Sequence, residues 1–121
     1  PYVIDASKHL LKKFSSNDFV RGTTISAPGF YGPQGRILRL GLAMPELNNL
    51  IEQFRFENQK ITNFEMESSA IYGLAKMLGH HALTICLIIA NRVTRQANEE
   101  YHSAMQNLIE TVLDHLTSNP K

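Results

Sequence analysis

The chain has 121 residues, of which 43% are hydrophobic and 19% charged, a composition typical of one globular domain rather than of a disordered segment. Twelve Lys and Arg against eleven Asp and Glu give a formal charge of +1, which offers no basic surface for nucleic acid or an anionic membrane. The single cysteine, Cys86, has no internal disulfide partner, and no apolar run approaches the roughly 18 residues of a membrane span, so we expect a soluble, cytoplasmic protein.

The amino-terminal part of the chain alternates between predicted helix and strand, which is the pattern of an α/β domain. A short helix is predicted over residues 4–13 and a strand over 19–27. A loop with a constrained backbone follows at 28–36, where five of the nine residues are Gly or Pro. Residues 37–42 fit either a short strand or an extended loop.

The rest of the chain continues the alternation. Helices are predicted over about 45–54, 67–78 and 98–116, and strands over about 61–64 and 82–90. Pro45 suits the first turn of the first of these helices, and Gly79 is a natural stop for the second. The run 82–90 is apolar except for Thr84, which predicts a central strand covered on both faces. Cys86 lies within this run, and we expect it to be an unreactive core thiol.

Three polar segments follow predicted strands: the loop 28–36, the turn 63–67 and the pair Asn91-Arg92. In open α/β sheets, ligands bind in crevices beyond the carboxyl ends of the strands. The sequence therefore predicts a ligand site formed by these segments.

The first segment carries an aromatic ring, a primary amide and a guanidinium, from Phe30, Gln34 and Arg36. An amide presents both a donor and an acceptor, so Gln34 can match an adjacent donor and acceptor on a planar heterocycle such as uracil. Arg36 can donate to a carbonyl oxygen at any relevant pH, and Phe30 can stack on a flat ring. The same loop also fits a surface turn with solvated side chains.

The second segment places two carboxylates, Glu65 and Glu67, where a short strand meets a helix. Glu67 can accept hydrogen bonds from the vicinal hydroxyls of a ribose. Acidic residues also favour the positive end of a helix, so helix-start chemistry explains the same pattern.

Three segments, taken together and in this order, resemble the uridine phosphorylase branch of the nucleoside phosphorylase family. They are Phe30 to Arg36, Asn63 to Ala70 and Ile88 to Arg92. The Glu-Met-Glu run is shared across the wider family, whereas the Gln-x-Arg end of the loop points to its pyrimidine branch. Asn91 stands where the purine enzymes place an Asp, which agrees with a pyrimidine substrate. The order Gly32-Pro33 departs from the Pro-Gly order common in uridine phosphorylases.

The resemblance implies a role for each matched residue. Gln34 would hold the N3 and O2 edge of uracil and Arg36 its O4, which makes these two the groups that assist the departing base. Met66 would pack beneath the ribose and Glu67 would bind its 2′ and 3′ hydroxyls. The other implied substrate-binding residues are Phe30, Glu65, Ile89, Ala90, Asn91 and Arg92, and no metal ligand is implied.

The implied fold is part of a three-layer α/β/α nucleoside phosphorylase-type domain with a central mixed sheet. Residues 1–121 would be the carboxy-terminal part of that single domain, in keeping with a start that lacks Met and leads directly into a helix. Family members assemble as dimers grouped into hexamers, so a homo-oligomer is implied.

The implied activity is reversible phosphorolysis of uridine to uracil and ribose 1-phosphate, with inorganic phosphate as co-substrate and no cofactor. The family builds its phosphate site in the amino-terminal half, and this chain shows no glycine-rich anion loop, so we expect it to be inactive alone. The alternatives are a purine nucleoside phosphorylase or nucleosidase of the same family, or a non-catalytic nucleoside-binding or assembly domain.

Overall fold

Helices and strands alternate along residues 2–91 and 94–118, the part of the chain that the computed structural model describes. The helices are α1 (Lys8–Lys13), α2 (Leu47–Gln53), α3 (Ser68–Leu78) and α4 (Tyr101–Thr117). The strands are β1 (Thr23–Ser26), β2 (Arg55–Phe56), β3 (Gln59–Glu65), β4 (Ala90–Asn91) and β5 (Gln96–Ala97). One 3₁₀ turn, Gly32–Gln34, lies in the loop after β1.

The sheet that positions the site has the order β1-β3-β2. β1 runs parallel to β3, with Ser26 opposite Glu65 at the carboxyl ends of the two strands. β2 pairs antiparallel with β3, so the sheet is mixed, and the predicted α/β class with a mixed sheet is confirmed. The β2–β3 hairpin was not predicted, although its turn residues Glu57 and Asn58 have the positive φ angles (47° and 64°) that tight hairpin turns favour.

All four predicted helices form, with shifted ends. α1 begins at Lys8 rather than at residue 4, because the Ser7 hydroxyl accepts the N–H of Leu10 and acts as the cap. α2 begins at Leu47, so Pro45 precedes the helix instead of lying in its first turn. α3 ends at Gly79, whose φ of 74° is the left-handed conformation that glycine adopts without strain, which confirms the predicted stop.

The central strand predicted over 82–90 is wrong: only Ala90 and Asn91 form a strand, β4, which pairs with β5. Within the described residues, 83–88 make no backbone–backbone hydrogen bond, and a strand exists only where a neighbour supplies those bonds. The segment is instead tied to α3 by side chains. The N–H of Thr84 donates to the Tyr72 hydroxyl at 2.7 Å, and the hydroxyls of Thr84 and Ser68 lie 2.6 Å apart.

Cys86 is exposed, so the prediction that it is a core residue is also wrong. Partial burial of the sulfur and the nearby charge of Glu65 raise the pKa of the thiol, against the opposing effect of a hydrogen bond to Asn63. The thiol is therefore held in its protonated, weakly nucleophilic form.

An aromatic cluster joins α1, the segment before β1, and α4. Phe14 is buried and packs against Phe19 and His115, with ring centroids 5.5 and 5.6 Å away. Elsewhere the chain is open: it exposes 9931 Å², against about 6,600 Å² for a typical folded monomer of its mass. Large hydrophobic side chains contribute to this area, among them Val20, Leu40 and Met77 at 96%, 83% and 83% exposed, and an exposed apolar surface is typical of an interaction face.

An apolar cleft between α4 and the segment 83–89 forms part of that surface. Its volume is about 310 Å³ and its lining is Leu83, Ile85, Leu108, Ile109, Val112 and Leu113. Among the helices described, none is long and apolar enough to cross a membrane.

Candidate active site

The carboxyl ends of β1 and β3 lie side by side and define one edge of the sheet. Ser26 and Glu65 are opposite each other there, and the N–H of Ala27 donates to the Glu65 carbonyl at 2.9 Å. The loop 28–36 and the segment 66–67 therefore leave the sheet at the same edge, as parallel pairing requires. Two of the three predicted ligand-binding segments are thus neighbours.

Arg36 contacts both Phe30 and Gln34, and we call these three residues the loop cluster. Arg36 Nη1 donates to Gln34 Oε1 at 2.7 Å and also to the carbonyl oxygen of Phe30. The guanidinium carbon lies 3.7 Å from the centre of the Phe30 ring, a cation–π contact. Gln34 is only 4% exposed, so the alternative of a loop with a solvated Gln34 is wrong.

The hydrogen bond from Arg36 orients the amide of Gln34. Because Arg36 donates to Oε1, the oxygen of the Gln34 amide is held on the guanidinium side. One face of the Phe30 ring is covered by the guanidinium, so a flat ligand would stack on the opposite face.

Gly35 connects the two polar members of the loop cluster and has a φ of 74°. A Cβ at this position would run into the side chain of Asn48, whose Nδ2 donates to the Gly35 carbonyl at 3.0 Å. The loop is therefore fixed both by a left-handed residue and by a contact to α2.

Gly35→Ala is expected to lower the free energy of unfolding by about 1 kcal/mol, because an alanine is strained at this φ. It should also weaken ligand binding by the loop cluster, since the Asn48 contact must rearrange. Urea denaturation and uridine titration measure the two effects. Gly32→Ala is the matched control, because Gly32 lies in the same loop with open space around its Cα; equal losses in both variants would contradict the special role of residue 35.

Glu65 does not point freely into the edge of the sheet. One carboxylate oxygen accepts the N–H groups of Glu67 (2.8 Å) and Ser68 (2.6 Å), and the other accepts the Ser26 hydroxyl. Burial on its own raises the pKa of this carboxyl, but the hydrogen bonds from Ser26, Glu67 and Ser68 together outweigh burial and lower it. Ser26 was not singled out in the sequence; its only signal is a hydroxyl at the end of a predicted strand.

Glu65→Gln is expected to destabilise the protein in a pH-dependent way. A carboxyl whose pKa is lower in the folded than in the unfolded state gives stability that is complete above its unfolded pKa and is lost as the pH falls through the folded value. The difference in unfolding free energy between native protein and variant should therefore be largest near neutral pH and shrink as the pH falls below 4.5, the ordinary value for this carboxyl. Chemical denaturation at several pH values, with Glu99→Gln as control, tests this; a constant difference would contradict it.

Glu67 and Met66 occupy the turn between β3 and α3, and both are exposed. Within the described residues, the Glu67 carboxylate has no hydrogen-bond or ion-pair partner, although its backbone occupies the cap position of α3. That carboxylate is therefore accessible to a ligand at the same edge as the loop cluster. The assigned roles of Met66 and Glu67 stay predictions.

Asn91, the described residue of the third predicted segment, lies in β4, which pairs with β5. Ile89, Ala90 and Asn91 line a cavity of about 260 Å³ with residues of β5, and neither Gln34 nor Glu67 is part of that lining. Asn91 Oδ1 accepts the N–H of Thr94 at 3.2 Å, which stabilises the hairpin turn. Arg92 lies outside the described residues, so its predicted supporting role stays a prediction.

Comparison with known proteins agrees with the motifs. The sequence profile of the phosphorylase superfamily matches residues 2–118. A uridine phosphorylase from Thermococcus kodakarensis is 39% identical over 75 residues, which are 62% of this chain and 26% of that protein. A DeoD-type purine nucleoside phosphorylase from Proteus mirabilis is 30% identical over 77% of this chain and 34% of its own length. An inactive uridine phosphorylase B from Schistosoma mansoni is 32% identical over 69% of this chain and 30% of its own length.

The fold agrees as well. The crystal structure of a Trypanosoma brucei nucleoside phosphorylase, described as showing uridine phosphorylase activity, superposes with a TM-score of 0.79 at 29% identity and covers 96% of this chain. The chain spans 43% of that protein and about a third or less of each curated relative. The chain belongs to the phosphorylase superfamily.

Proposed function

We propose that residues 1–121 are the carboxy-terminal part of a nucleoside phosphorylase domain, and that the intact protein catalyses reversible phosphorolysis of uridine. The observation that carries the proposal is the shared sheet edge: the loop cluster follows β1 and the accessible Glu67 carboxylate follows β3, its parallel neighbour. An amide and a guanidinium suit the polar edge of a pyrimidine, and a carboxylate suits the hydroxyls of a ribose. The similarity to uridine phosphorylases supports the same substrate.

The reaction transfers the ribosyl group from uracil to phosphate. A phosphate oxygen forms a bond to C1′ while the C1′–N1 bond breaks, and the electron pair of that bond stays with uracil. Negative charge then spreads to the base oxygens O2 and O4. Donors already aimed at those oxygens stabilise the transition state more than the nucleoside, which lowers the barrier.

In this proposal Arg36 donates to O4 and Gln34 holds the N3 and O2 edge. Glu67 binds the 2′ and 3′ hydroxyls, and Met66 packs beneath the sugar. Inorganic phosphate is the second substrate, bound by residues outside this chain, so the chain alone is inactive. The exposed apolar surface supports contact with further polypeptide chain. We propose that the working form is a homo-oligomer built from dimers.

Nucleoside turnover by the intact protein tests the proposal. Uridine with inorganic phosphate should give uracil and ribose 1-phosphate, and omitting phosphate should abolish uracil release. Release without phosphate would indicate a nucleosidase, and faster cleavage of inosine or adenosine would indicate a purine enzyme.

A non-catalytic nucleoside-binding protein is the second candidate, because one relative is an inactive uridine phosphorylase. Saturable uridine binding with no turnover at any phosphate concentration would favour it. Failure to bind either uridine or uracil would reject both candidates.

A further inference from the structure

The start of α3 is held by two side chains that do not belong to the helix. Glu65 Oε2 accepts the N–H groups of Glu67 and Ser68 at 2.8 and 2.6 Å. The hydroxyl of Ser26, on the neighbouring strand, accepts the N–H of Ser69 at 2.8 Å. The first N–H groups of a helix have no partner within the helix, so these three bonds decide where the helix begins.

Ser26 connects the two halves of this arrangement. Its hydroxyl donates to Glu65 Oε1 while accepting the N–H of Ser69, so one oxygen atom joins β1, β3 and α3. The parallel register brings Ser26 opposite Glu65 at the last position of both strands. Both carboxylate oxygens of Glu65 are therefore engaged by the protein itself.

These hydrogen bonds fix the backbone position of Glu67. Its N–H is fixed by Glu65, and its own carboxylate is exposed and has no partner within residues 2–91 and 94–118. The side chain thus leaves a clamped backbone at the same edge of the sheet from which the loop 28–36 departs. A carboxylate that must meet two vicinal hydroxyls at once depends on such placement, because small displacements are costly in binding and catalysis.

We propose that Ser26 is a positioning residue for the sugar: acting through Glu65, it fixes the backbone from which Glu67 reaches the ribose hydroxyls. The inference rests on the proposed function and refines it, since it gives Glu65 an orienting role in place of direct contact with the substrate. The lowered pKa of Glu65 is consistent with this, because the ionised carboxylate accepts these three hydrogen bonds more strongly than the neutral acid does.

The experiment compares sugar recognition with base recognition in the intact protein. Ser26→Ala should lower kcat/KM for uridine about tenfold, chiefly through KM, because a charge-assisted hydrogen bond is lost. The inhibition constant of 2′,3′-dideoxyuridine should not change, because that ligand lacks the hydroxyls that Glu67 binds. Ser26→Thr, which keeps the hydroxyl, should restore most of the activity.

Two controls separate positioning from general damage. Thr24→Val removes another hydroxyl of β1, one that donates to the Asn63 carbonyl at 3.3 Å, and should leave the ratio of the two ligands unchanged. In the double variant Ser26→Ala with Glu67→Ala, the loss should not exceed that of Glu67→Ala alone, because both changes act on one interaction.

An equal loss for uridine and the dideoxy ligand, or additive losses in the double variant, would overturn the positioning role while the proposed function stands. A native protein that releases no uracil from uridine and phosphate would reject the proposed function itself, and the positioning role with it.

Discussion

Replacing Arg36 by Ala is expected to lower the turnover number for uridine phosphorolysis about a hundredfold, the usual cost of removing one donor to a developing negative charge. Two losses combine in this variant. The proposed donor to O4 disappears, and so does the hydrogen bond that orients the Gln34 amide. Base selection should therefore weaken together with turnover, whereas Gln34→Ala should act mainly on selection.

Arg36→Lys is expected to fall between the native protein and the alanine variant. Lysine keeps the positive charge but lacks the planar fork, so it cannot contact Gln34, the Phe30 carbonyl and the Phe30 ring in the same way. Steady-state kinetics of the intact protein with uridine measures the effect. The matched control is Arg39→Ala, an exposed arginine nearby with no hydrogen bond or ion pair among the described residues. Near-normal turnover of Arg36→Ala would reject a role for Arg36 in base departure.

The parts of the fold that sequence predicted well are those governed by local chemistry. Gly79 ends α3 through its own left-handed backbone conformation, which depends on no distant residue. The loop 28–36 is constrained by its own Gly and Pro residues, and it forms where the sequence places it. Such features depend on a few neighbouring residues, so a single sequence carries enough information to locate them.

The parts that sequence predicted poorly depend on distant partners. The apolar run 82–90 predicts a buried strand, yet among the described residues no neighbouring strand pairs with 83–88, and Cys86 is exposed as a result. The β2–β3 hairpin was missed because Glu57 is an unusual residue for its turn. Periodicity reports which residues prefer burial but not what covers them.

In the candidate site, too, local features could be predicted from the sequence and features that depend on distant partners could not. The residue types at positions 30, 34 and 36 indicated ligand chemistry, but their mutual contacts, and the burial of Gln34, follow from the turn that folds the loop on itself. The role of Ser26 could not be predicted, because it depends on a register between strands 39 residues apart in sequence. The carboxylates at 65 and 67 look equivalent in sequence, and only their partners distinguish them.

The different hydrogen-bond partners of Glu65 and Glu67 lead to the second prediction with a large expected effect. Glu67→Ala is expected to lower kcat/KM for uridine about a hundredfold, because two hydrogen bonds from ribose hydroxyls to a charged acceptor are lost. Binding of free uracil should be unchanged, since the proposed contact is to the sugar alone. Competition by uracil and kinetics with uridine measure the two quantities, and Glu99→Ala controls for the loss of an exposed carboxylate near a helix start.

The opposing explanation is that Glu67 merely favours the positive end of α3. It predicts lower stability and equal effects on uridine and uracil, so an equal effect would decide against the ribose contact. The structure weighs against that explanation: Glu67 makes no capping hydrogen bond with its side chain, while Glu65 accepts two N–H groups at the same helix start. Because the carboxylate at 65 already stabilises the helix, the one at 67 is left available for a ligand.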